Sequence, residues 1–176
     1  MNEPQLILAL DPGIKRSAAL LIDCKMHIHA ITQWETCSAS QPFRAAAQAA
    51  LEIWNVVNSM DYNNDEVVLV HEDVYFPRSG PMAGNPKPII DLCKSIGIWI
   101  ARFPFHVIPV TSGAWRKNCG INQKDGREVC KEQSIALMKG AINNHELVIG
   151  GRVFEIKDHI SDAYWIGKAY VDGVVK

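Results

Sequence analysis

Acidic side chains recur in this sequence at positions from which they could act together. Asp11 closes a run of five apolar residues, Leu6 to Leu10, and is followed by Pro12-Gly13. Glu72 ends a second apolar run within E-V-V-L-V-H-E-D-V-Y, residues 66–75. Near the C-terminus, D-H-I-S-D-A-Y-W-I-G places His159 and Asp162 three residues apart, and Asp158 and Asp162 four apart. A short, wholly apolar run bounded by a turn signal reads as a strand buried on both faces. Asp11 and Glu72 are thereby carried to strand ends, where open α/β sheets site their chemistry. Residues three or four apart share one face of a helix, so four groups can converge on one cleft. Crowded carboxylates repel one another unless cations neutralise them. An oxygen-rich set with at most one imidazole suits Mg²⁺ or Mn²⁺ rather than zinc. Two such ions about 3.5–4 Å apart stabilise the attacking and leaving oxygens of a phosphodiester displacement.

Each piece also has an ordinary structural role. Asp before Pro favours a turn, Asp73 could make the second run a solvated strand end, Asp158 is a good N-cap for a last helix, and a single histidine is commonly a surface residue. The combination is what points to chemistry. If His159 is a ligand or general base it must be neutral, and activity should then fall below a pH of roughly 6.5, shifted by its neighbours.

The elements that must position these groups follow from periodicity. Residues 5–13, 17–22 and 27–34 read as three strands in an antiparallel meander, with Asp23-Cys24-Lys25 as the second turn. Residues 41–60 change to helical spacing through Phe43, Ala46, Ala47, Ala50, Leu51, Trp54 and Val57, with Ser40 as N-cap and Pro42 in the first turn. Residues 58–64 form a polar linker and 66–75 a strand. Residues 76–88, with four prolines and two glycines, form a loop of the length that tends to be functional or disordered. Residues 89–102 read as a helix with a stripe of Ile90, Cys93, Ile96 and Ile100, and with Trp99 off it. A helix apolar on more than one face is sandwiched or lies against a partner subunit. Residues 106–109 form a short strand, 111–119 a helical turn capped by Thr111 or Ser112 and stopped by Gly120, 126–142 an amphipathic helix with a basic face, and 158–171 a last helix. Residues 147–154 are too Gly-rich to assign. Three leading strands followed by strand–helix alternation describe an α/β fold, a mixed sheet with helices on both faces, in one domain over residues 1–176.

Composition excludes several classes. The chain has 176 residues, 48% hydrophobic and 21% charged, with a formal charge of −1, which is the profile of an ordinary soluble globular domain. Wholesale binding to polyanions is not implied, so a nucleic-acid site needs locally clustered charge. Five cysteines without a C-x-x-C pair indicate neither a zinc site nor a disulfide framework, and reduced thiols suit a cytoplasmic protein. No secretory signal or membrane span is expected.

The motifs L-A-L-D-P-G, V-H-E-D-V-Y and D-H-I-S-D-A-Y-W-I-G, in that order and at these separations, resemble the RuvC family of Holliday-junction resolvases within the ribonuclease-H-like nucleases. G-R-E-V-C-K-E-Q-S-I-A-L-M between them is similar to that family's basic helix. The resemblance implies a ribonuclease-H-like five-stranded mixed sheet and a crossover junction endonuclease using two Mg²⁺ ions, with Mn²⁺ as substitute. By matching position it implies a metal site of Asp11, Glu72, His159 and Asp162. Many members carry Asp where this chain has His159. Spacing alone does not separate His159 from Asp158, and motif position favours His159. The resemblance further implies a homodimer, formed in part by the helix after the second acidic strand, that presents two sites to opposed strands of a four-way or other branched DNA.

From Ser112 to Gly140, Arg116, Lys117, Lys124, Arg127, Lys131 and Lys139 face only Asp125, Glu128 and Glu132, a local positive excess able to hold phosphates. Trp115, beside Arg116-Lys117, is positioned to stack on an unpaired base, although tryptophan at helical spacing is more often core. Arg78 and Lys87 bracket a loop able to contact DNA near the cleft. Other readings are a related nuclease acting on RNA–DNA hybrids, a non-catalytic branched-DNA binding module, and an actin-like kinase fold. The last requires a second lobe and Gly-rich phosphate loops that 176 residues do not accommodate.

Overall fold

The computed structural model describes residues 5–13, 16–35, 43–60, 62–74 and 86–175. Arg78, Ser40 and Pro42 lie outside the described residues. The strand β1 (Leu6–Asp11) is buried along its whole length, at the centre of a five-stranded sheet. Its flanks are β2 (Arg16–Asp23) and β3 (Ile28–Glu35) on one side, β4 (Val67–Glu72) and β5 (His106–Val110) on the other. β1, β2 and β3 are successively antiparallel, while β4 and β5 run parallel to β1. This is the expected mixed sheet with helices on both faces.

Strand parity explains why β1 is apolar at every position. Leu6, Leu8 and Leu10 enter the core beneath α1 (Arg44–Ser59) and α2 (Lys87–Arg102). Ile7 and Ala9 enter the core beneath α5 (Asp158–Val171). Successive side chains alternate faces, so Asp11 shares the α5 face with Ile7 and Ala9, and Glu72 shares it with Val68 and Val70. Both carboxylates therefore emerge under the same helix at neighbouring strand ends. The Pro12-Gly13 turn is tight as well as breaking: a Cβ on Gly13 would sit 1.6 Å from the Arg16 carbonyl oxygen. Ser17 Oγ clamps it, accepting from Gly13 N–H and donating to the Gly13 carbonyl, each at 2.9 Å.

α5 crosses β1 and β2, and Gly167 lets it come close. A Cβ at Gly167 would lie 2.5 Å from Ile22 Cδ1 and 3.0 Å from Ala9 Cβ. Gly167→Ala is therefore expected to lower stability by about 1–3 kcal/mol through overpacking, read as a drop in urea midpoint at unchanged m-value. Adding Ile22→Val should return part of the loss.

Several expectations shift on inspection. α2 does not bury the stripe Ile90, Cys93 and Ile100: Ile89, Ser95, Ile96 and Trp99 face the core, while Ile90 is 45% and Ile100 42% exposed. Trp99 has no exposed side. It is fully buried, stacked between Trp34 and Phe103, because an indole satisfies the aromatic cluster better than an isoleucine. β4 ends at Glu72, and residues 64–66 form a short 3-10 turn before it. α3 (Ser112–Asn118) is capped by Thr111, whose Oγ1 accepts from Ala114 N–H at 3.2 Å. Asp158 is not the N-cap of α5. Lys157 holds that position and Asp158 is the first helical residue, still favourable beside the positive helix end. The unassigned Gly-rich stretch after α4 (Arg127–Ile142) forms a hairpin, β6 (Glu146–Ile149) and β7 (Arg152–Glu155). Among the described residues no helix is long and apolar enough to cross a membrane.

Candidate active site

At the ends of β1 and β4, beneath the first turn of α5, a cavity of about 480 Å³ opens to solvent. Asp11, Glu72, Asp158, His159 and Asp162 line its acidic wall, and Arg116, Arg127 and Lys131 line it from α3 and α4. The structure thus brings together all four residues singled out for chemistry.

Asp11 is 8% exposed, and its Oδ2 lies 2.9 Å from His159 Nδ1. The other imidazole nitrogen, Nε2, is 3.4 Å from Asp158 Oδ1. Asp158 in turn pairs with Lys131 at 3.3 Å. The two candidates that sequence spacing could not separate therefore differ in partners: His159 contacts Asp11 directly, and Asp158 pairs with Lys131 of α4. Asp162 Oδ1 accepts a 2.8 Å hydrogen bond from Ser134 Oγ.

The electrostatics are those of a site short of positive charge. Burial raises the Asp11 pKa, against the hydrogen bond and charge of His159. Glu72 is pushed up to about 7 by burial and by the charge of Asp11, with Arg116 opposing. Asp162 is likewise pushed up to about 7, by burial and Asp11, against the Ser134 hydrogen bond. Burial works against a charged His159, but the hydrogen bond and charge of Asp11, joined by Asp158 and Asp162, outweigh it and raise its pKa. The pH limit expected for a neutral His159 accordingly moves upward in the metal-free protein. Burial also opposes the charge on Asp158, yet His159 and Lys131 leave its pKa lowered.

The residues fit a hard divalent cation by donor chemistry: one buried and two half-buried carboxylates with one imidazole, two of the carboxylates pushed up to about 7 by desolvation and by the Asp11 charge. Among the described residues no three His, Cys, Asp or Glu side chains are placed as a ready metal-holding group; Asp11 Oδ2 faces His159 instead.

The candidate DNA contacts divide. Arg116, Arg127 and Lys131 reach the cavity wall. Lys117 is exposed on α3, away from it, and Lys87 at the start of α2 pairs with Asp91 outside it. Trp115 cannot stack on a base: it is 1% exposed, packed into the core under α5. Its indole N–H has no hydrogen-bond partner of good geometry among the described residues, yet it faces Glu72 closely enough to lower that carboxyl's pKa. The Arg116 guanidinium lies over the Trp115 ring, 4.8 Å from its centroid, so Trp115 serves as a floor for the arginine. Ser134, Gln123 and Cys130 are site residues that sequence reasoning missed. Their partners lie on other elements, and although Cys130 and Ser134 fall inside the basic-helix motif, nothing in it singles them out.

Sheet order and strand directions are those of a ribonuclease-H-like fold. Among solved structures, the chain is similar to RuvC from T. thermophilus in complex with Holliday junction substrate, with TM-score 0.67 at 12% identity over 98% of each chain. It is also similar to a second Thermus thermophilus RuvC structure, with TM-score 0.62 at 13% identity over 97% of this chain and 98% of that one. Fowlpox virus resolvase with its Holliday junction DNA gives TM-score 0.51 at 15% identity over 97% and 99%. No protein-family profile matches the sequence, and no curated protein matches it. The shared property is the fold, in its RuvC-like form.

Proposed function

We propose that this protein is a divalent-metal-dependent endonuclease that cuts branched DNA, four-way junctions in particular. The observation that carries this reading is the convergence of Asp11, Glu72, Asp162 and His159 on one cavity, with two half-buried carboxyls pushed up to about 7. A pure DNA binder gains nothing from carboxylates facing phosphates. Those four residues would hold two Mg²⁺ ions, which supply charge neutralisation and an activated water. Asp11, on the central strand, would be the ligand whose charge acts on both Glu72 and Asp162. His159 orients Asp11 through Nδ1, and Lys131 pairs with Asp158 at the cavity wall. Arg116, fixed on Trp115, and Arg127 supply the positive wall that a phosphodiester backbone approaches. The similar RuvC and fowlpox structures carry Holliday junction DNA, which supports the choice of branched substrate.

A junction resolvase needs two sites, and the outward face of α2 suits pairing with a second copy. Ile90, Cys93, Gly97 and Ile100 recur there at near-heptad spacing and are exposed. A Cβ at Gly97 would meet nothing within 4 Å, so a helix of a second copy can approach closely in a two-fold arrangement. Ile90→Glu with Ile100→Glu is expected to convert a dimer to a monomer in sedimentation velocity, with the far-ultraviolet spectrum unchanged because the core face of α2 is untouched. A parent already monomeric at the concentrations used for cleavage would sink the pairing.

The test of function is direct. The protein is incubated with a synthetic four-way junction, a linear duplex and an RNA–DNA hybrid, in Mg²⁺, in Mn²⁺ and in chelator. Symmetrical metal-dependent nicks confined to the junction are expected. Equal cutting of the hybrid would reassign the substrate, and tight junction binding without cutting would leave a binding module.

A further inference from the structure

We propose that Ser134, in the middle of α4, is a positioning residue that holds Asp162 in the orientation needed to bind a divalent cation. The proposal rests on reading the cavity as a divalent-metal site.

The argument starts from proton counting. Ser161 Oγ donates its only proton to the Asp158 carbonyl at 2.8 Å, so towards Ser134 it can only accept. Ser134 Oγ has one proton and two acceptors in reach, Asp162 Oδ1 at 2.8 Å and Ser161 Oγ at 3.0 Å. An ionised carboxylate is the stronger acceptor, so the proton goes to Asp162. One carboxylate oxygen is then engaged and the other is left for a cation.

The donor itself is immobile. Ser134 is 1% exposed and Ser161 fully buried. The Ser134 carbonyl accepts from Trp165 Nε1 at 3.1 Å, pinning α4 against α5 one turn past Asp162. The hydroxyl is thus a fixed point on a different helix, and it removes a rotamer choice that α5 alone would leave to the carboxylate. Such outer contacts orient ligands, and losing one typically weakens metal affinity about 10–100-fold.

Mn²⁺ titration of the full-length protein by calorimetry tests this, with Ser134→Ala, Ser134→Thr and Trp165→Phe run beside the parent and thermal melting recorded for each. Ser134→Ala is expected to weaken Mn²⁺ binding by about tenfold and to melt only modestly earlier through the lost Asp162 hydrogen bond, since Trp165 bonds the backbone carbonyl that alanine keeps. Ser134→Thr, which restores the hydroxyl, should recover most of the affinity. Trp165→Phe should melt earlier yet bind Mn²⁺ as the parent does. Parental Mn²⁺ affinity in Ser134→Ala, or an equal loss in Ser134→Ala and Trp165→Phe, would overturn the proposal in favour of plain helix packing. A parent that binds no Mn²⁺ would overturn the metal-site reading as well, which keeps the two failures apart.

Discussion

Asp11→Asn is expected to abolish the proposed junction cleavage while leaving junction binding intact or tighter. Asparagine keeps the shape, and its amide oxygen can still accept from His159 Nδ1, so the 2.9 Å contact and the β1 packing survive. What disappears is the negative charge at the end of the central strand, the one carboxylate adjacent to both Glu72 and Asp162 in its electrostatic effect. Removing a preorganised electrostatic group at a reacting centre commonly costs on the order of 10²–10³-fold in rate, and the carboxylate central to the cluster belongs at or above that range. Binding should respond oppositely, because one fewer negative charge then faces the phosphates beside Arg116 and Arg127. Single-turnover cleavage and fluorescence anisotropy in chelator measure the two effects separately. A variant that cuts within tenfold of the parent, or that loses junction binding, would count against Asp11 as the central ligand.

What sequence could and could not reveal has physical reasons. β1 and β4 were legible because a strand covered on both faces must be apolar throughout, and a carboxylate at its end then stands out. α5 was legible because His159 and Asp162 fall on one turn, and the helix begins at Asp158 as its pattern implies. α2 was not. With apolar residues on both faces, periodicity cannot say which side meets the core, and the answer came from Trp99 filling the space between Trp34 and Phe103. Trp115 was misplaced for a related reason: its neighbours Arg116 and Lys117 suggested a surface, but Arg116 stands on the ring rather than beside it. The β6–β7 hairpin left no pattern, since Val148 and Val153 pair across it while remaining 63% and 61% exposed. Ser134 left none either, because its meaning depends on Asp162, twenty-eight positions later.

Glu72→Gln and Asp162→Asn should each inactivate the protein and, without metal, stabilise it. Both carboxyls sit near 7 when folded, against ordinary values near 4 in the unfolded chain. The folded state therefore binds protons that the unfolded state has released between about pH 4 and 7, and stability falls as pH rises through that window. This is the reverse of a salt-bridged carboxylate, whose stabilisation is lost on acidification. Above pH 7 the full penalty of burying mutually repelling charges is present, and replacing one by an amide should return on the order of 1–3 kcal/mol. Asp162→Asn keeps an oxygen for the Ser134 hydroxyl, so its gain should not be offset by a lost hydrogen bond. A divalent cation relieves the same repulsion and must displace the same protons. Mg²⁺ should accordingly raise the parent's melting temperature strongly at pH 8 and little at pH 5.5, and should do less for either amide variant. Melting curves across pH 5 to 9, with and without Mg²⁺, decide the matter. An Asp162→Asn protein that melts earlier than the parent at pH 8 in chelator would mean that this charge supports the fold, and would remove the electrostatic case for a cation between these carboxylates.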